Sequence, residues 1–198
     1  MKKLVIKTAL ITLAGIIAIT ACFYLILALA SPKTLAKFYD NAGFYGASIK
    51  YYEKQYKKTN EYSDLYILCT KVDEKNDSER AILYLDEMIE SDEFIYFSTY
   101  IDENTQNSFL TKDFICGKYA CALYYNNGVT GAINYSKNYI FTEYYENNPL
   151  SVFIAECGKN INGVDKIVVS KYLEGLKSNE NYSQQDLDRV NLDINAFN

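Results

Sequence analysis

The residues whose types could do chemistry are four cysteines outside the N-terminal apolar run, Cys69, Cys116, Cys121 and Cys157, and a carboxylate cluster at Asp86, Glu87 and Glu90. Their usual helpers are missing. There is no histidine among the 198 residues, which removes the commonest general base and the orienting group of Ser-His-Asp and Cys-His sites. The cysteine spacings match no zinc pattern, and no imidazole is present to complete one. Cys116 and Cys121, on what reads as one helix, point to different sides and cannot easily bridge each other. Buried free thiols are therefore expected, although an even number of cysteines in an exported domain also permits disulfides. Asp86, Glu87 and Glu90 read as the solvated face of an amphipathic helix. A glycosidase-type carboxylate pair stays open, because its members can lie far apart in sequence. No Gly-rich phosphate loop or dinucleotide fingerprint occurs. The expectation is a protein without catalytic residues, cofactor or metal.

The element that must position everything else comes first in the chain. From Thr8 to Ala30 no residue is charged, and the run is preceded by Lys2, Lys3 and Lys7 and followed by Ser31-Pro32-Lys33. As a helix it covers roughly 34 Å, enough for the hydrocarbon core of a bilayer. A signal peptide usually carries a shorter apolar stretch, so a retained transmembrane anchor over 1–31 is expected, with the remaining domain at 32–198. Two alternatives stay open. Ala28-Leu29-Ala30 has the form of a cleavage site, which would release a secreted domain. Ile19-Thr20-Ala21-Cys22 resembles a bacterial lipobox, although Phe23-Tyr24-Leu25-Ile26-Leu27 continues the apolar run where a lipoprotein turns polar. Lysines flank both ends, and the tight N-terminal cluster favours a cytoplasmic N-terminus with the domain extracytoplasmic. Ala14, Ala18 and Cys22 form a stripe of small groups that could let two anchors pack, though alanines at this spacing are common.

Composition narrows the partners. Twenty tyrosines, no tryptophan and few arginines are the usage of an AT-rich, bacterial-type genome, and the net charge of −5 argues against a general nucleic-acid binder. Asn-x-Ser triplets at Asn76, Asn134 and Asn181 are about as frequent as chance allows in so Asn-rich a chain.

Beyond the anchor, apolar residues recur at three- and four-residue intervals and no alternation is long enough to demand a strand, so the domain reads as all-α. Turn signals such as Asn41-Ala42-Gly43, Asn76-Asp77-Ser78, Asn126-Asn127-Gly128 and Asn147-Asn148-Pro149 cut it into expected helices over 33–42, 45–58, 61–75, 78–90, 93–103, 108–126, 129–146, 150–159, 164–177 and 184–196. Ser183 with Asp186 three residues on is a candidate N-cap, and Leu187, Val190, Ile194 and Phe197 then share one apolar face, as a C-terminal capping helix would present.

The segment Gly43-Phe44-Tyr45-Gly46-Ala47-Ser48-Ile49-Lys50-Tyr51-Tyr52-Glu53-Lys54 resembles the second helix of the tetratricopeptide repeat. Ser48-Ile49-Lys50-Tyr51-Tyr52 is matched 33 residues on by Ala81-Ile82-Leu83-Tyr84-Leu85, near that family's period. Leu35, Ala36 and Tyr39 fall in register with Leu68, Cys69 and Val72. The resemblance is clearest over residues 33–90 and degenerate downstream. Thr59-Asn60 stands where the family has proline, and Gln55 where it usually has alanine. It implies an all-α fold in which a stack of antiparallel helical hairpins, a TPR-like α-solenoid, follows the transmembrane helix.

The function so implied is a membrane-anchored scaffold that binds a protein or peptide partner at the membrane surface. In the repeat register Lys33 and Lys37, then Tyr66, Thr70 and Asp73, then Tyr124 and Tyr125, would face the groove lined by first helices. A homo-oligomerising membrane component is the alternative from another class, and an extracytoplasmic carboxylate hydrolase a third. The lipid bilayer would be contacted through Thr8–Ala30, and no nucleic acid is expected.

Overall fold

The computed structural model describes residues 2–92, 94 and 112–198; of the helix expected over 93–103 all but residue 94 lies outside these. Every regular element among the described residues is helical: α1 (Lys2–Ala30), α2 (Pro32–Asn41), α3 (Tyr45–Thr59), α4 (Tyr62–Glu74), α5 (Ser78–Glu90), α6 (Lys112–Ser136), α7 (Pro149–Cys157), α8 (Gly163–Leu176) and α9 (Gln184–Phe197), with a 3-10 turn at Gly158–Asn160. The chain divides into two compact units, one ending at Lys71 and the other running from Val72 to Asn198. The division falls in the last turn of α4.

In the first unit α2 and α3 form a packed hairpin. Its turn is a Schellman closure. The Phe44 N–H donates to Tyr39 O (2.8 Å) and the Gly43 N–H to Asp40 O (3.0 Å), while Gly43 takes a left-handed φ of 77° that a side chain would strain. The Phe44 and Tyr39 rings, 6.3 Å apart, supply the apolar contact that accompanies this motif. The buried positions Ser48, Ile49 and Tyr52 of α3 correspond, 33 residues on, to the buried Ala81 and Leu85 of α5 and a half-buried Ile82, while Lys50 and Leu83 are both exposed. Tyr84 is buried where Tyr51 is half-buried, so the two patterns agree only in part.

Asp64, on α4, ties α2 and α3 to its own helix. Its carboxylate, 3% exposed, accepts from Lys33 Nζ on α2 (2.7 Å), Gln55 Nε2 on α3 (2.9 Å) and Thr59 Oγ1 (2.9 Å). Burial by itself raises the carboxyl pKa, and these donors outweigh it, so Asp64 is held below the ordinary range. Gln55 and Thr59, the two departures from the tetratricopeptide pattern, are both spent on this carboxylate. A repeat with Ala and Pro at those places could not satisfy it.

In the second unit α6 packs against α5 and α7, and α9 closes the set against α7 and α8. The core gathers Ala120, Ala132, Ile133, Leu150, Phe153, Ile154, Val169, Leu173, Val190, Ile194 and Phe197, all buried. Tyr119 Oη donates to Asp86 (2.8 Å), so Asp86 fixes α5 to α6 and is half-buried, whereas Glu87 and Glu90 lie on the exposed face expected for all three. The break expected at Asn126-Asn127-Gly128 is a kink: Gly128 leaves helical geometry (φ 69°, ψ −175°), and the helix resumes to Ser136.

The helix expected over 129–146 stops ten residues short. Residues 137–148 form an irregular segment instead, held by α9 and the residues just before it. Asp186 Oδ1 accepts the Tyr144 N–H (3.1 Å), Tyr182 Oη donates to Ile140 O, and Tyr144 Oη donates to Asp193 (2.5 Å). Ile140 and Tyr144, 2% and 0% exposed, still enter the core, so the apolar spacing was informative about burial and misleading about helix. The other oxygen of Asp186 accepts from Ser183 N (2.8 Å) and Ser183 Oγ (2.6 Å), and Ser183 Oγ accepts from Asp186 N, a complete capping box on α9.

Removing the Asp64 carboxylate is expected to cost about 2–3 kcal/mol at neutral pH, since Asp64→Leu leaves Lys33, Gln55 and Thr59 without their acceptor. For Asp64→Asn the sign with pH follows from the depressed folded pKa. The parent's advantage is full above the unfolded value of about 4 and is lost as pH falls through the lower folded value. Denaturant melts of parent and variant should therefore converge in acid; a gap that is constant with pH would refute this role.

Candidate partner-binding cleft

A cleft of about 580 Å³ lies within the second unit, lined by Asp73, Asn76, Ser78, Lys118, Cys121, Tyr125, Glu156, Cys157 and Asn160. Three local devices build it. Asn76 adopts φ 54° after α4, and the Asp77 N–H reaches back to Val72 O (3.2 Å), a Schellman closure that turns the chain beneath Asp73. Asp77 then caps α5 by accepting from Arg80 N. On α6, Lys118, Cys121 and Tyr125 fall at i, i+3 and i+7, so one helix face lines the cleft. On the far wall α7 and the 3-10 turn supply Glu156, Cys157 and Asn160.

Gly117 allows that wall to come so near. A Cβ there would lie 2.3 Å from Val152 Cβ, and Val152 is buried and branched, so α6 and α7 could not cross at their present separation with any larger residue. This approach brings Lys118 to Glu156 (3.1 Å) and Asp73 (3.2 Å) together, while the Phe114 ring lies 5.3 Å from the ammonium. Burial lowers the Lys118 pKa, but the two carboxylates outweigh it and hold the ammonium above its ordinary value. Burial pushes Asp73 up, only partly offset by Lys118.

Cys121 and Cys157 both line the cleft wall. Their interaction comes first in separating them, pushing Cys121 up and drawing Cys157 down; Tyr125 Oη, 3.9 Å from Cys157 Sγ, assists Cys157. Cys157 is thus the more acidic of the pair. All four cysteines outside α1 are free and buried. A smaller cavity of about 260 Å³ lies beside Asp193, whose carboxylate takes the hydroxyls of Tyr144 and Ser151. Among the described residues no group of three or more His, Cys, Asp or Glu side chains is placed to hold a metal ion.

The structure brings together two of the seven residues singled out from sequence, Asp73 and Tyr125, in this cleft. Tyr124 instead lies against the core, its ring 5.4 Å from Phe153. In the first unit Lys33 is engaged with Asp64, Lys37 is exposed, Tyr66 is half-buried, and Thr70 donates to Tyr66 O (3.0 Å). Lys118, Glu156 and Asn160 were not singled out. The spacing of Lys118, Cys121 and Tyr125 on one face was readable, but nothing local ties that face to Glu156, which comes from more than 30 residues later.

No protein-family model, curated protein or solved structure matches the chain significantly.

Replacing Gly117 with Ala should lower the midpoint of thermal unfolding, at a cost of about 1–3 kcal/mol despite alanine's better helix propensity. A Gly117→Ala protein as stable as the parent would show that α6 and α7 do not approach as described.

Proposed function

We propose that this chain is a single-pass membrane-anchored scaffold of TPR-like hairpins, with its domain on the extracytoplasmic side, that holds a protein or extended peptide segment in the cleft of its second unit. The observation that carries the reading is the makeup of that cleft. Lys118 sits between two carboxylates, and the exposed Tyr125 ring stands at the edge with Asn76 and Asn160 beside it. An ammonium shared by Asp73 and Glu156 leaves the carboxylates with a net negative field that suits a cationic side chain. A tyrosine offers a broad ring with a hydrogen-bonding tip, and the two amides can pair with a peptide backbone. Retention of the anchor is supported by contacts that cleavage after Ala30 would remove: Lys58 Nζ of α3 donates to Leu29 O (3.2 Å) and Ala30 O (2.8 Å), the last carbonyls of α1.

A hydrolase reading draws on the same cleft, since Asp73 and Glu156 converge there. Lys118 stands between them and engages both, in the place where a glycosidase-type pair needs its water or substrate. Binding is therefore placed first. Self-assembly is separated from it by experiment.

The test is a photo-reactive phenylalanine analogue at Tyr125 in the full chain, expressed in its own cells, with the same analogue at the exposed Val164 for comparison. A heterologous adduct at Tyr125, absent at Val164 and abolished by Lys118→Glu, is the expected result. An adduct only between copies of this chain would transfer the cleft to self-assembly, and no adduct at all would leave it without a partner.

A further inference from the structure

The hairpin that follows α1 carries an aromatic surface joined directly to it. Tyr24, within the apolar run, hydrogen-bonds through its hydroxyl to Tyr51 of α3 and accepts from Tyr39 of α2 (3.2 Å). The Tyr39 and Tyr51 rings stack at 5.6 Å, and Tyr39 meets Phe38 at 5.6 Å and Phe44 at 6.3 Å, both edge-on. Beyond Tyr39 the chain turns to solvent: Phe38 is 63% and Phe44 64% exposed, at the tip formed by the α2–α3 turn. Two bulky apolar rings are thus uncovered at the edge of a cluster rooted in α1.

Where that cluster lies along α1 sets its surroundings. Tyr24 is six residues before Ala30, about 9 Å inside the end of the apolar run. Phe23, Leu25 and Ile26 beside it are themselves 58–62% exposed, so apart from the hairpin's contact at Tyr24 α1 is uncovered by the described residues at this level. Lys58 meanwhile holds the end of α3 against the last carbonyls of α1. The hairpin is therefore fastened to α1 at two levels, and whatever medium surrounds Tyr24 lies one ring away from Phe38 and Phe44.

Charge names the medium. The segments α2 and α3 hold six lysines (Lys33, Lys37, Lys50, Lys54, Lys57 and Lys58) against two carboxylates, Asp40 and Glu53. That is a net +4 in a chain whose total is −5. A cationic, amphipathic element with exposed aromatic rings matches the boundary between anionic headgroups and acyl chains. A protein partner would need no such continuity with the anchor.

Resting on the reading of α1 as a membrane anchor, we propose that the α2–α3 hairpin is itself a lipid-binding element. Phe38 and Phe44 enter the interface of the bilayer that α1 spans, and the exposed Lys37, Lys50, Lys54 and Lys57 lie among anionic headgroups, while Lys33 stays with Asp64 and Lys58 with the end of α1. The hairpin then acts as an interfacial foot that fixes how the first unit stands on the membrane. Aromatic rings at this depth and lysines that extend outward to the headgroups are the arrangement each prefers.

Because the chain has no tryptophan, single-tryptophan variants report their own depth. Full-length Phe44→Trp and, in the anchor, Phe23→Trp are reconstituted into vesicles of phosphatidylcholine and phosphatidylglycerol in equal parts, with bromine placed near the carboxyl end of the acyl chains. The expected result is that both emit in the blue and that Phe44→Trp loses about half its emission to the brominated lipid, as a ring 5–10 Å into the interface would. Quenching of Phe23→Trp with an unquenched Phe44→Trp overturns the proposal while leaving the anchor intact, whether the second emission is water-like or blue-shifted by contact with another copy. An unquenched Phe23→Trp overturns the anchor and the proposal together. Equal quenching of Phe44→Trp in pure phosphatidylcholine would remove the part assigned to the lysines.

Discussion

The uncovered apolar surface of α1 is the constraint on which the rest of the structure turns. Twelve large apolar or aromatic side chains between Ile6 and Leu29 are exposed. At about 1.5–3 kcal/mol each, leaving them in water would cost on the order of tens of kcal/mol, more than the whole stability of a typical domain. The helix is long and apolar enough to cross a membrane. A bilayer is the simplest medium that removes the cost, and in that case α1 satisfies its own backbone throughout, as a spanning segment must. Its C-terminal carbonyls do not escape the requirement; Lys58 meets part of it from α3.

Inside each unit a buried carboxylate does the tying. Asp64 collects an ammonium from α2 and an amide and a hydroxyl from the end of α3, and Asp186 caps α9 while holding the backbone of Tyr144. Both are charged groups placed where only full satisfaction makes them tolerable, so each fixes one arrangement of its helices more sharply than apolar contacts alone. The Lys118 site uses the same chemistry at a more open position, with Asp73 and Glu156 on one ammonium. There the charge is reachable, and that difference separates a structural tie from a candidate binding site.

What could be read from the sequence was whatever is local. The all-helical class, the apolar run, the Ser183 cap and the inward face of α9 follow from spacing within a few residues. The free, buried thiols followed from cysteine spacing and the lack of His. Residues 137–146 carry a helical apolar pattern yet form no helix, and their backbone partners, Asp186 and Tyr182, lie about 40 residues on, beyond the reach of any local pattern. Lys33 illustrates the same limit. Its ammonium is engaged by Asp64, 31 positions later, a partner that no local pattern announces. Gln55 and Thr59 looked like decay of a repeat pattern and are the other two donors to that carboxylate. The cleft was half legible, because one face of α6 could be read but its facing wall on α7 depends on the absence of a side chain at Gly117.

Retention of α1 is the claim from which anchoring, the lipid-facing hairpin and the scaffold reading all descend. Intact mass measurement of the mature protein from its own cells, after alkaline carbonate extraction of the membranes, tests it most directly. The predicted result is a species in the extracted pellet that retains Thr8–Ala30 with an unmodified Cys22. A soluble species beginning at Ser31, or a lipidated chain beginning at Cys22, would contradict it.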